Sequence, residues 1–223
     1  MPGNTDAPAR LRIDFVSDIV CPWCAIGLVS LEQALERARG EVEADIHFQP
    51  FELNPQLGAG GEDMVGHLQK KYGMTAAQVA DNQESIRRRG EELGFTFDME
   101  RRRRTYNTFD AHRLLHWAEL EGRQRELKHA LLRAYFTEGR DVSDHDTLVD
   151  AAAGVSLPAD RAREILASDA YADDVRTVEQ FFLQHGIQAV PAVIIERRHL
   201  ISGGQPPEVF EQALRQIAAV KRG

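Results

Sequence analysis

Strand-like patterns occur only near the two ends of this 223-residue chain, and that arrangement limits the folds open to it. Residues 11–17 alternate and predict a strand buried mainly on one face, and residues 42–53 predict a second strand. Near the other end, residues 189–196 and 198–203 predict an antiparallel pair. From about residue 62 to residue 185 the apolar spacing is helical, with almost no strand pattern.

Helices are predicted after the first strand, through the middle of the chain and at its end. The first follows at once, because apolar residues recur at helical spacing at Leu28, Leu31, Leu35 and Ala38. Thr75 and Ser143 are N-cap candidates for two central helices. A closing amphipathic helix covers residues 206–220, and the predicted central helices are 62–72, 75–93, 105–121, 123–138, 144–154, 159–167 and 169–185.

The predicted element order is therefore β-α-β, a long helical block, and then β-β-α. This order is typical of an α/β protein whose sheet-forming part is interrupted by an insertion. We predict that residues 1–61 and 186–223 form one α/β domain in two parts. Residues 62–185 are predicted to form a large all-helical insertion domain between them.

Charge and hydropathy disfavour two classes of partner. The chain has 27 basic and 35 acidic residues, a formal charge of -8, which argues against nucleic acid as a partner. No apolar run approaches the ~18 residues of a membrane span, and the N-terminus lacks a signal-peptide core, so we expect a cytoplasmic protein and no membrane partner. Arginines at 87–89 and 101–104 lie among acidic residues and predict solvated helix faces rather than a phosphate site.

Both cysteines lie in the segment Cys21-Pro22-Trp23-Cys24, between the first predicted strand and helix. Proline is tolerated as the first residue of a helix. Cys21 would then face unpaired backbone N–H groups and the positive end of the helix dipole. Thiol pKa values in such sites fall from about 8.5 to roughly 3.5–7.5. Cys24 would lie one turn on, so the sequence predicts Cys21 as the attacking sulfur and Cys24 as the resolving sulfur.

Two other interpretations of the cysteine pair are a metal site and inert burial. His112 and His116 stand at i, i+4 on a predicted helix and would complete a Cys2His2 zinc set. The two halves of that set are about 90 residues apart, however, and their spacing is not diagnostic. Inert burial does not explain the C-x-x-C spacing at a strand–helix junction. We therefore predict a redox pair and no metal.

Val190-Pro191, near the end of the chain, supports this interpretation independently. Proline cannot donate a hydrogen bond to a strand ladder, so it belongs at the first residue or the edge of a strand. The sequence does not decide whether the Val190–Pro191 bond is cis. A cis bond would hold the Val190 backbone open for an extended substrate strand.

With these residues identified, the chain resembles the DsbA family of thioredoxin-fold oxidoreductases. Within it, the chain is most similar to the FrnE-like branch of cytosolic members, which is related to 2-hydroxychromene-2-carboxylate isomerases and kappa-class glutathione transferases. The resemblance covers nearly the whole chain. It rests on "DIVCPWCAIG" at 18–27, "FELNP" at 51–55, "NTFDAHRLLHWAE" at 107–119, "LLRAYFTEGRDVSD" at 131–144, and "VPAVII" followed by "ISGGQPPEVF".

The resemblance implies a thioredoxin-like fold interrupted by a helical domain, with Cys21 as nucleophile, Cys24 as resolving cysteine and Pro191 as a cis-proline facing them. Ala189 departs from the glycine of many relatives. The isomerase and transferase relatives carry serine where this chain has Cys21, which favours thiol–disulfide exchange. The alternative function is a glutathione-dependent isomerase or transferase acting on an aromatic small molecule. A less favoured third function is a zinc-dependent binding module.

The residues predicted to bind substrate surround the cysteine pair and are Pro22, Trp23, Val190, Pro191, Asn107 and His112. Asn107 and His112 belong to a segment that resembles the helical-domain face toward the active-site groove, with helix packing or capping as the alternative role. Trp23 brings bulk and an N–H donor but no positive charge. We therefore expect a reduction potential between about -270 and -120 mV.

Asp14 and Asp18 are candidate proton relays for Cys24, and Asp18 is expected near solvent in the turn before the helix. Three aromatic residues are expected in the core: Phe48, Phe51 and Trp117. The expected partner is a disulfide-containing protein or a small thiol. No cofactor is predicted, glutathione is the one co-substrate considered, and the chain is expected to be a monomer or a homodimer.

Overall fold

The computed structural model describes residues 7–58 and 60–222. None of the helices in these two ranges is long and apolar enough to cross a membrane. In chain order the elements are β1 (Ala9–Ser17), α1 (Pro22–Arg37), β2 (Val42–Pro50), β3 (Glu62–Asp63), α2 (Met64–Tyr72), α3 (Ala76–Leu93), β4 (Arg104–Thr105), α4 (Phe109–Leu120), α5 (Gln124–Phe136), α6 (His145–Gly154), α7 (Ala159–Leu166), α8 (Ala172–Gln184), β5 (Ala192–Ile195), β6 (His199–Ser202) and α9 (Pro207–Arg222).

Four strands form one mixed sheet in the order β2-β1-β5-β6. The central strand β1 is parallel to β2 and antiparallel to β5, with Ile13 opposite Ile46 on one side and Ile195 on the other. Strand β6 is antiparallel to β5, as the sequence predicted. The order β-α-β before the helical block and β-β-α after it confirms the predicted α/β thioredoxin-like fold with a helical insertion.

Strand β1 is buried on both faces at its carboxyl end, whereas its alternating sequence predicted burial mainly on one face. Phe15 belongs to the main core, together with Phe210 of α9. Val16 points to the opposite face and packs in a second cluster with Phe182 of α8 and Ile187. The prediction was incomplete because α8, which lies far along the chain, packs against the sheet and covers this face.

The central helices match the predicted ones apart from shifts at their ends. Helix α4 begins at Phe109 rather than at residue 105, because Arg104 and Thr105 form β4, which pairs with β3. Strands of two residues are too short to carry an alternating pattern, so periodicity does not predict them. Helix α2 begins two residues late for the same reason, after β3.

Two predicted N-caps differ in outcome. Thr75 caps α3 in a reciprocal capping box with Gln78, which confirms the prediction. Ser143 is not the N-cap of α6. The N-cap of α6 is Asp144, whose carboxylate accepts a hydrogen bond from the Thr147 backbone N–H. The boundaries drawn at residues 61 and 186 for the insertion domain stay a prediction.

The two arginine clusters have different surroundings. On α3, Arg87 pairs with Glu84, and Arg89 pairs with Glu92, so this cluster is the predicted solvated helix face. The cluster at 101–104 lies outside the helices, and Arg102 is only 4 % exposed. The prediction of a solvated face is therefore wrong for Arg102, because the chain turns it inward between α3 and α4.

Candidate active site

The site begins at the junction of β1 and α1. Cys21 has an extended backbone and is the N-cap of α1, whose first residue is Pro22, as the sequence predicted. The Cys21 carbonyl accepts hydrogen bonds from the backbone N–H groups of Cys24 at 3.1 Å and Ala25 at 3.3 Å. The Cys21 side chain therefore lies at the N-terminus of a 16-residue helix, where the helix dipole stabilises negative charge.

Cys24 lies one turn into α1 and is 0 % exposed, and both cysteines are present as thiols. Burial raises the pKa of Cys24 well above its ordinary value, and the hydrogen bond with Cys21 raises it further. A thiol in this environment keeps its proton until a neighbouring group accepts it. This property suits a resolving cysteine rather than an attacking one.

The Val190–Pro191 segment lies against the cysteine pair although it is far away in sequence. Cys21 Sγ donates a hydrogen bond to the Val190 carbonyl oxygen at 3.7 Å, across 169 residues. The Val190–Pro191 peptide bond is cis. Pro191 lies close above α1, since a Cβ atom added to Gly27 would be 3.1 Å from Pro191 Cγ. The fold thus brings together the two motifs that the sequence assigned to one site.

Asp18 is completely buried in the loop before α1, so the expectation that it lies near solvent is wrong. Its Oδ1 accepts the Ile19 N–H at 2.6 Å and lies 3.5 Å from His112 Nε2, and its Oδ2 accepts the Leu53 N–H at 2.7 Å. Burial raises the pKa of Asp18, but the hydrogen bond and charge of His112 and the Leu53 N–H lower it by more. The pKa therefore lies below its ordinary value.

Asp14, the other candidate relay, belongs to a different surface. Its carboxylate accepts hydrogen bonds from Arg12 Nη2 at 2.7 Å and from Gln49 Nε2 at 2.8 Å. It lines a cavity of about 580 Å³ together with Phe181 and Phe182. The cysteine pair does not line that cavity, so the structure does not bring Asp14 into the site.

Lys128 of α5 is a buried charged residue that the sequence interpretation missed. It is 1 % exposed, and its Nζ has no hydrogen-bond partner among the residues that the structure describes. Burial lowers the pKa of Lys128, while the nearby Cys24, Asp18 and Cys21 raise it. The sequence contained a signal for this burial. Lys128 lies on the same apolar face of α5 as Leu131, where a charged residue is unusual.

Cys21 opens onto a groove of about 770 Å³ that both parts of the chain line. Trp23, 39 % exposed, and Val190 contribute from the sheet-forming part. Phe51, expected in the core, lines this groove instead, whereas Phe48 and Trp117 are buried as predicted. The helical insertion contributes apolar and cationic side chains, among them Met64, His67, Lys71, Tyr72 and Arg102.

Comparison with known proteins relates this geometry to a family. A family model described as a DSBA-like thioredoxin domain matches residues 12–215. The chain belongs to the DSBA-like thioredoxin family. It is also 36 % identical to a "probable DsbA oxidoreductase" from Streptomyces coelicolor, whose crystal structure superposes with a TM-score of 0.85 over 96 % of this chain and 92 % of that one. The predicted DsbA membership is confirmed.

Two more distant neighbours of this DSBA-like chain share its fold. The cytosolic disulfide reductase DsbM from Pseudomonas aeruginosa, solved with GSH, is 17 % identical with a TM-score of 0.64, over 93 % of this chain and 99 % of that one. A 2-hydroxychromene-2-carboxylate isomerase is 12 % identical with a TM-score of 0.68, over 94 % and 97 %. The DsbA and isomerase neighbours are consistent with the FrnE-like branch.

Two predicted substrate contacts of the DSBA-like chain do not line the groove. Asn107 Nδ2 donates to Glu52 Oε2 and to the Pro55 carbonyl, both at 3.3 Å, while its Oδ1 accepts the Phe109 N–H at 2.9 Å. His112 is buried beside Asp18, as described above. Both side chains are therefore used within the fold, whereas Pro22, Trp23 and Val190 line the groove.

The zinc alternative is not supported by the geometry. Within residues 7–58 and 60–222, no group of three or more His, Cys, Asp or Glu side chains is close enough to hold a metal ion. His112 Nε2 contacts the Phe51 carbonyl oxygen at 3.2 Å, and the His116 ring packs 5.2 Å from the Tyr171 ring. The two histidines do not converge with the cysteines, so the Cys2His2 interpretation is wrong.

Proposed function

We propose that this DSBA-like protein is a thiol–disulfide oxidoreductase in which Cys21 attacks a substrate disulfide and Cys24 resolves the mixed disulfide. The observation that carries the proposal is the position of Cys21 Sγ, at the N-cap of α1 and 3.7 Å from the Val190 carbonyl oxygen. Cys21 and Val190 line one groove, so a substrate segment that pairs with the Val190 backbone would bring its sulfur to Cys21.

The proposed exchange has two steps. The Cys21 thiolate attacks one sulfur of the substrate disulfide, whose S–S bond breaks and releases one substrate thiolate, which takes a proton from solvent. Cys24 then loses its proton and attacks Cys21 Sγ, which closes the Cys21–Cys24 disulfide and releases the second substrate thiol. The substrate gains two electrons and the enzyme loses two. A small thiol, with glutathione as the proposed co-substrate, restores the dithiol by the reverse exchange.

The environments of the two thiols support this order of events. Cys21 lies at a helix N-terminus, which stabilises a thiolate. The raised pKa of Cys24, caused first by its burial, keeps Cys24 protonated during the first step. Pro22, Trp23 and Val190 line the groove with Cys21 and, together with the adjacent Pro191, are the proposed substrate contacts. Cys21, where the isomerase relatives carry serine, favours this exchange over glutathione-dependent isomerisation.

Reduction of insulin by dithiothreitol tests the proposed function. We expect the wild-type protein to accelerate insulin reduction and Cys21→Ser to show only the uncatalysed rate. Cys24→Ser, the matched control, keeps the attacking thiol and is expected to accumulate a mixed disulfide at Cys21, detected by mass spectrometry. Equal acceleration by wild type and Cys21→Ser would contradict the proposal. The cytoplasmic location and the monomer or homodimer state stay predictions from the sequence.

A further inference from the structure

The cavity of about 580 Å³ beside Asp14 lies between α8 and the sheet face to which Val16 points, away from the cysteine pair. Its apolar lining consists of Val178, Phe181, Phe182, Ile187, Ile194 and Leu200. Phe181 and Leu200 are each 52 % exposed. Large apolar side chains that are exposed together around a concavity indicate a binding surface.

The walls of this cavity are already in place without a ligand. On α8, the rings of Phe181 and His185 are 4.1 Å apart between centroids, and His185 Nδ1 lies 2.7 Å from the Phe181 carbonyl oxygen. The two rings therefore form one aromatic surface. On the sheet, Ile194 of β5 and Leu200 of β6 are cross-strand partners and form an aliphatic surface. A ligand that enters between these surfaces orders few side chains, which lowers the entropic cost of binding.

Arginine side chains make the rim of the cavity positive. Arg12, Arg197 and Arg198 line it, and Asp14 is the one acid among the described residues that do so. Arg12 Nη2 lies 2.7 Å from Asp14 Oδ1, so these two charges offset each other. Arg197 and Arg198 are both exposed and leave a net positive charge beside the turn between β5 and β6. A concave surface with this charge attracts anions.

The turn between β5 and β6 holds the two arginines at the rim. Glu196 and Arg197 have positive φ angles of 54° and 56°, a conformation in which hairpin turns favour asparagine and glycine. Glu196 Oε1 accepts the Arg12 N–H at 2.7 Å, and its Oε2 accepts a hydrogen bond from Lys221 Nζ at 2.7 Å. These bonds fix the turn. Arginine at a position where glycine would be less strained points to a role for the Arg197 side chain.

We propose that this cavity binds a free amphipathic carboxylate, with its apolar part between α8 and the sheet and its carboxylate on Arg197 and Arg198. The ligand needs no sulfur, so this inference does not depend on the proposed function. The planar guanidinium of arginine matches the two oxygens of a carboxylate. The cavity volume lies within the roughly 300–1,000 Å³ of small-molecule sites. A concavity of this size takes a narrow ligand more readily than a membrane or the surface of a folded protein.

Calorimetry on the wild-type protein tests the charge requirement. The two probes are decanoate and decyltrimethylammonium, which have similar apolar chains and opposite charges, each used below the concentration at which it forms micelles. We expect decanoate to bind at least about tenfold more tightly, because the arginines attract the carboxylate and repel the ammonium group. Equal affinities for the two probes would overturn the proposal.

A double variant, Arg197→Asn with Arg198→Gln, assigns the preference to the rim. Asparagine tolerates the positive φ at position 197, so the turn is expected to keep its conformation. We expect decanoate to bind at least about tenfold more weakly. Arg88→Gln with Arg101→Gln is the matched control, since it removes the same charge at exposed positions that do not line the cavity. Equal affinities of the two double variants for decanoate would overturn the assignment to the rim.

The substitution Phe181→Ala tests the apolar wall. Leu183→Ala is its matched control, because Leu183 lies on the same helix and is 48 % exposed but does not line this cavity. We expect Phe181→Ala to weaken decanoate binding at least about fivefold and Leu183→Ala to leave it unchanged. Both side chains are about half exposed, so both variants are expected to fold, which circular dichroism checks. Equal affinities of the two variants would show that the ligand does not lie against α8 and would overturn the proposal.

Nuclear magnetic resonance of the ¹⁵N-labelled protein locates the bound decanoate. We expect amide shifts at Phe181, Ile194 and Leu200. Shifts at Trp23 and Val190 instead would assign the anion to the groove of Cys21 and overturn the proposal.

Two further measurements test other occupants of the cavity. If the protein sediments with phosphatidylglycerol vesicles, loses this binding in the arginine double variant and does not bind free decanoate, the occupant is a membrane surface. If ultracentrifugation detects a dimer that Phe181→Ala dissociates, and decanoate does not bind, the occupant is a second copy of the chain. Either result would overturn the proposal, whereas decanoate binding to a monomer without vesicle binding supports it.

Discussion

Lys128 places an ammonium group in the interior, near both thiols. Its charge lowers the pKa of Cys24, against the larger effect of burial, which raises that pKa. In turn, burial lowers the pKa of Lys128 itself. A positive charge near Cys24 stabilises the thiolate that forms when Cys24 resolves a mixed disulfide, so we expect Lys128 to favour that step. This role makes an unpaired buried amine useful despite its cost to stability.

The substitution Lys128→Met tests this role with two readouts. We expect resolution of the Cys21 mixed disulfide to slow at least about tenfold, with an upward shift of its pH profile, because Cys24 loses its nearby positive charge. We also expect the free energy of unfolding at pH 7 to rise by about 1–3 kcal/mol, because a buried ion is replaced by an apolar side chain. Rapid-quench mass spectrometry and urea denaturation measure the two effects. Lys70→Met, on the exposed face of α2, is the control. An unchanged resolution rate in Lys128→Met would exclude this electrostatic role.

The Asp18 carboxylate is expected to make the free energy of unfolding decrease as the pH falls into the acid range. Its folded-state pKa is lowered, so its contribution is fully present above the unfolded-state pKa of about 3.9 and is lost as the pH falls through the lower folded value. We expect Asp18→Asn to lower the free energy of unfolding by about 2–4 kcal/mol at pH 7, because the Ile19 and Leu53 N–H groups and His112 lose a charged acceptor. The difference from wild type should shrink below about pH 4.

Urea denaturation of wild type and Asp18→Asn between pH 3 and pH 7 measures this dependence. Asp81→Asn, at an exposed position of α3, is the control and is expected to change stability by less than about 0.5 kcal/mol. A constant difference between wild type and Asp18→Asn across this pH range would show that the carboxylate charge does not stabilise the loop.

The sequence singled out Cys21, Cys24 and Pro191 as candidates because each carries a local signal: a spacing, a junction or an unusual residue. It failed at Asp18 because the group that covers this side chain, His112, comes from a distant helix. Burial of a charged residue depends on such tertiary partners, which no local pattern encodes. Arg102 shows the same limit, since its acidic sequence neighbours predicted a solvated face that the turn before α4 does not provide.

The start of α1 depends on close contact with the turn after β6. A Cβ atom added to Gly204 would lie 2.9 Å from the Trp23 backbone oxygen and 3.3 Å from the Trp23 ring, so the turn packs tightly on the active-site helix. We expect Gly204→Ala to destabilise the protein by about 1–3 kcal/mol, because the added methyl group must displace backbone. We also expect insulin reduction to slow, because Trp23 and the adjacent cysteines would move with it.

Urea denaturation and the insulin assay measure the two effects of Gly204→Ala. Gly58→Ala is the matched control, since a Cβ atom there would meet nothing within 4 Å. A Gly204→Ala protein as stable and active as Gly58→Ala would show that this turn does not hold the helix start in place.

At the level of elements, periodicity predicted the long helices and the order of elements along the chain well, because both depend on local patterns of burial. It missed β3 and β4, which have two residues each, and the second buried face of β1. These features exist only because distant segments meet: β3 pairs with β4 across α2 and α3, and α8 covers the sheet. Short pairings and second-face burial are thus consequences of assembly.

The helical insertion completes the thioredoxin-like part and its active site. It supplies His112 to Asp18, Lys128 to the thiols and Arg102 to the groove. It also covers the outer edge of the sheet, where β2 has no strand beyond it among the residues that the structure describes. There the Gln124 side chain accepts the Phe48 N–H at 2.9 Å and donates to the Phe48 carbonyl at 3.0 Å, as a neighbouring strand would.

The substitution Gln124→Ala removes this side-chain cover from the sheet edge. Two buried backbone groups of Phe48 would lose their partners, and each unsatisfied group costs about 1–3 kcal/mol, so we expect a loss of about 2–4 kcal/mol in the free energy of unfolding. Gln216→Ala, at an exposed position of α9, is the control and is expected to be nearly neutral. Guanidinium denaturation followed by circular dichroism and by tryptophan fluorescence measures the loss. Because the insertion and the sheet share a buried contact, the unfolding transitions followed by circular dichroism and by tryptophan fluorescence should also coincide in wild type. Equal losses in Gln124→Ala and Gln216→Ala would show that the helical insertion does not stabilise the sheet through Phe48.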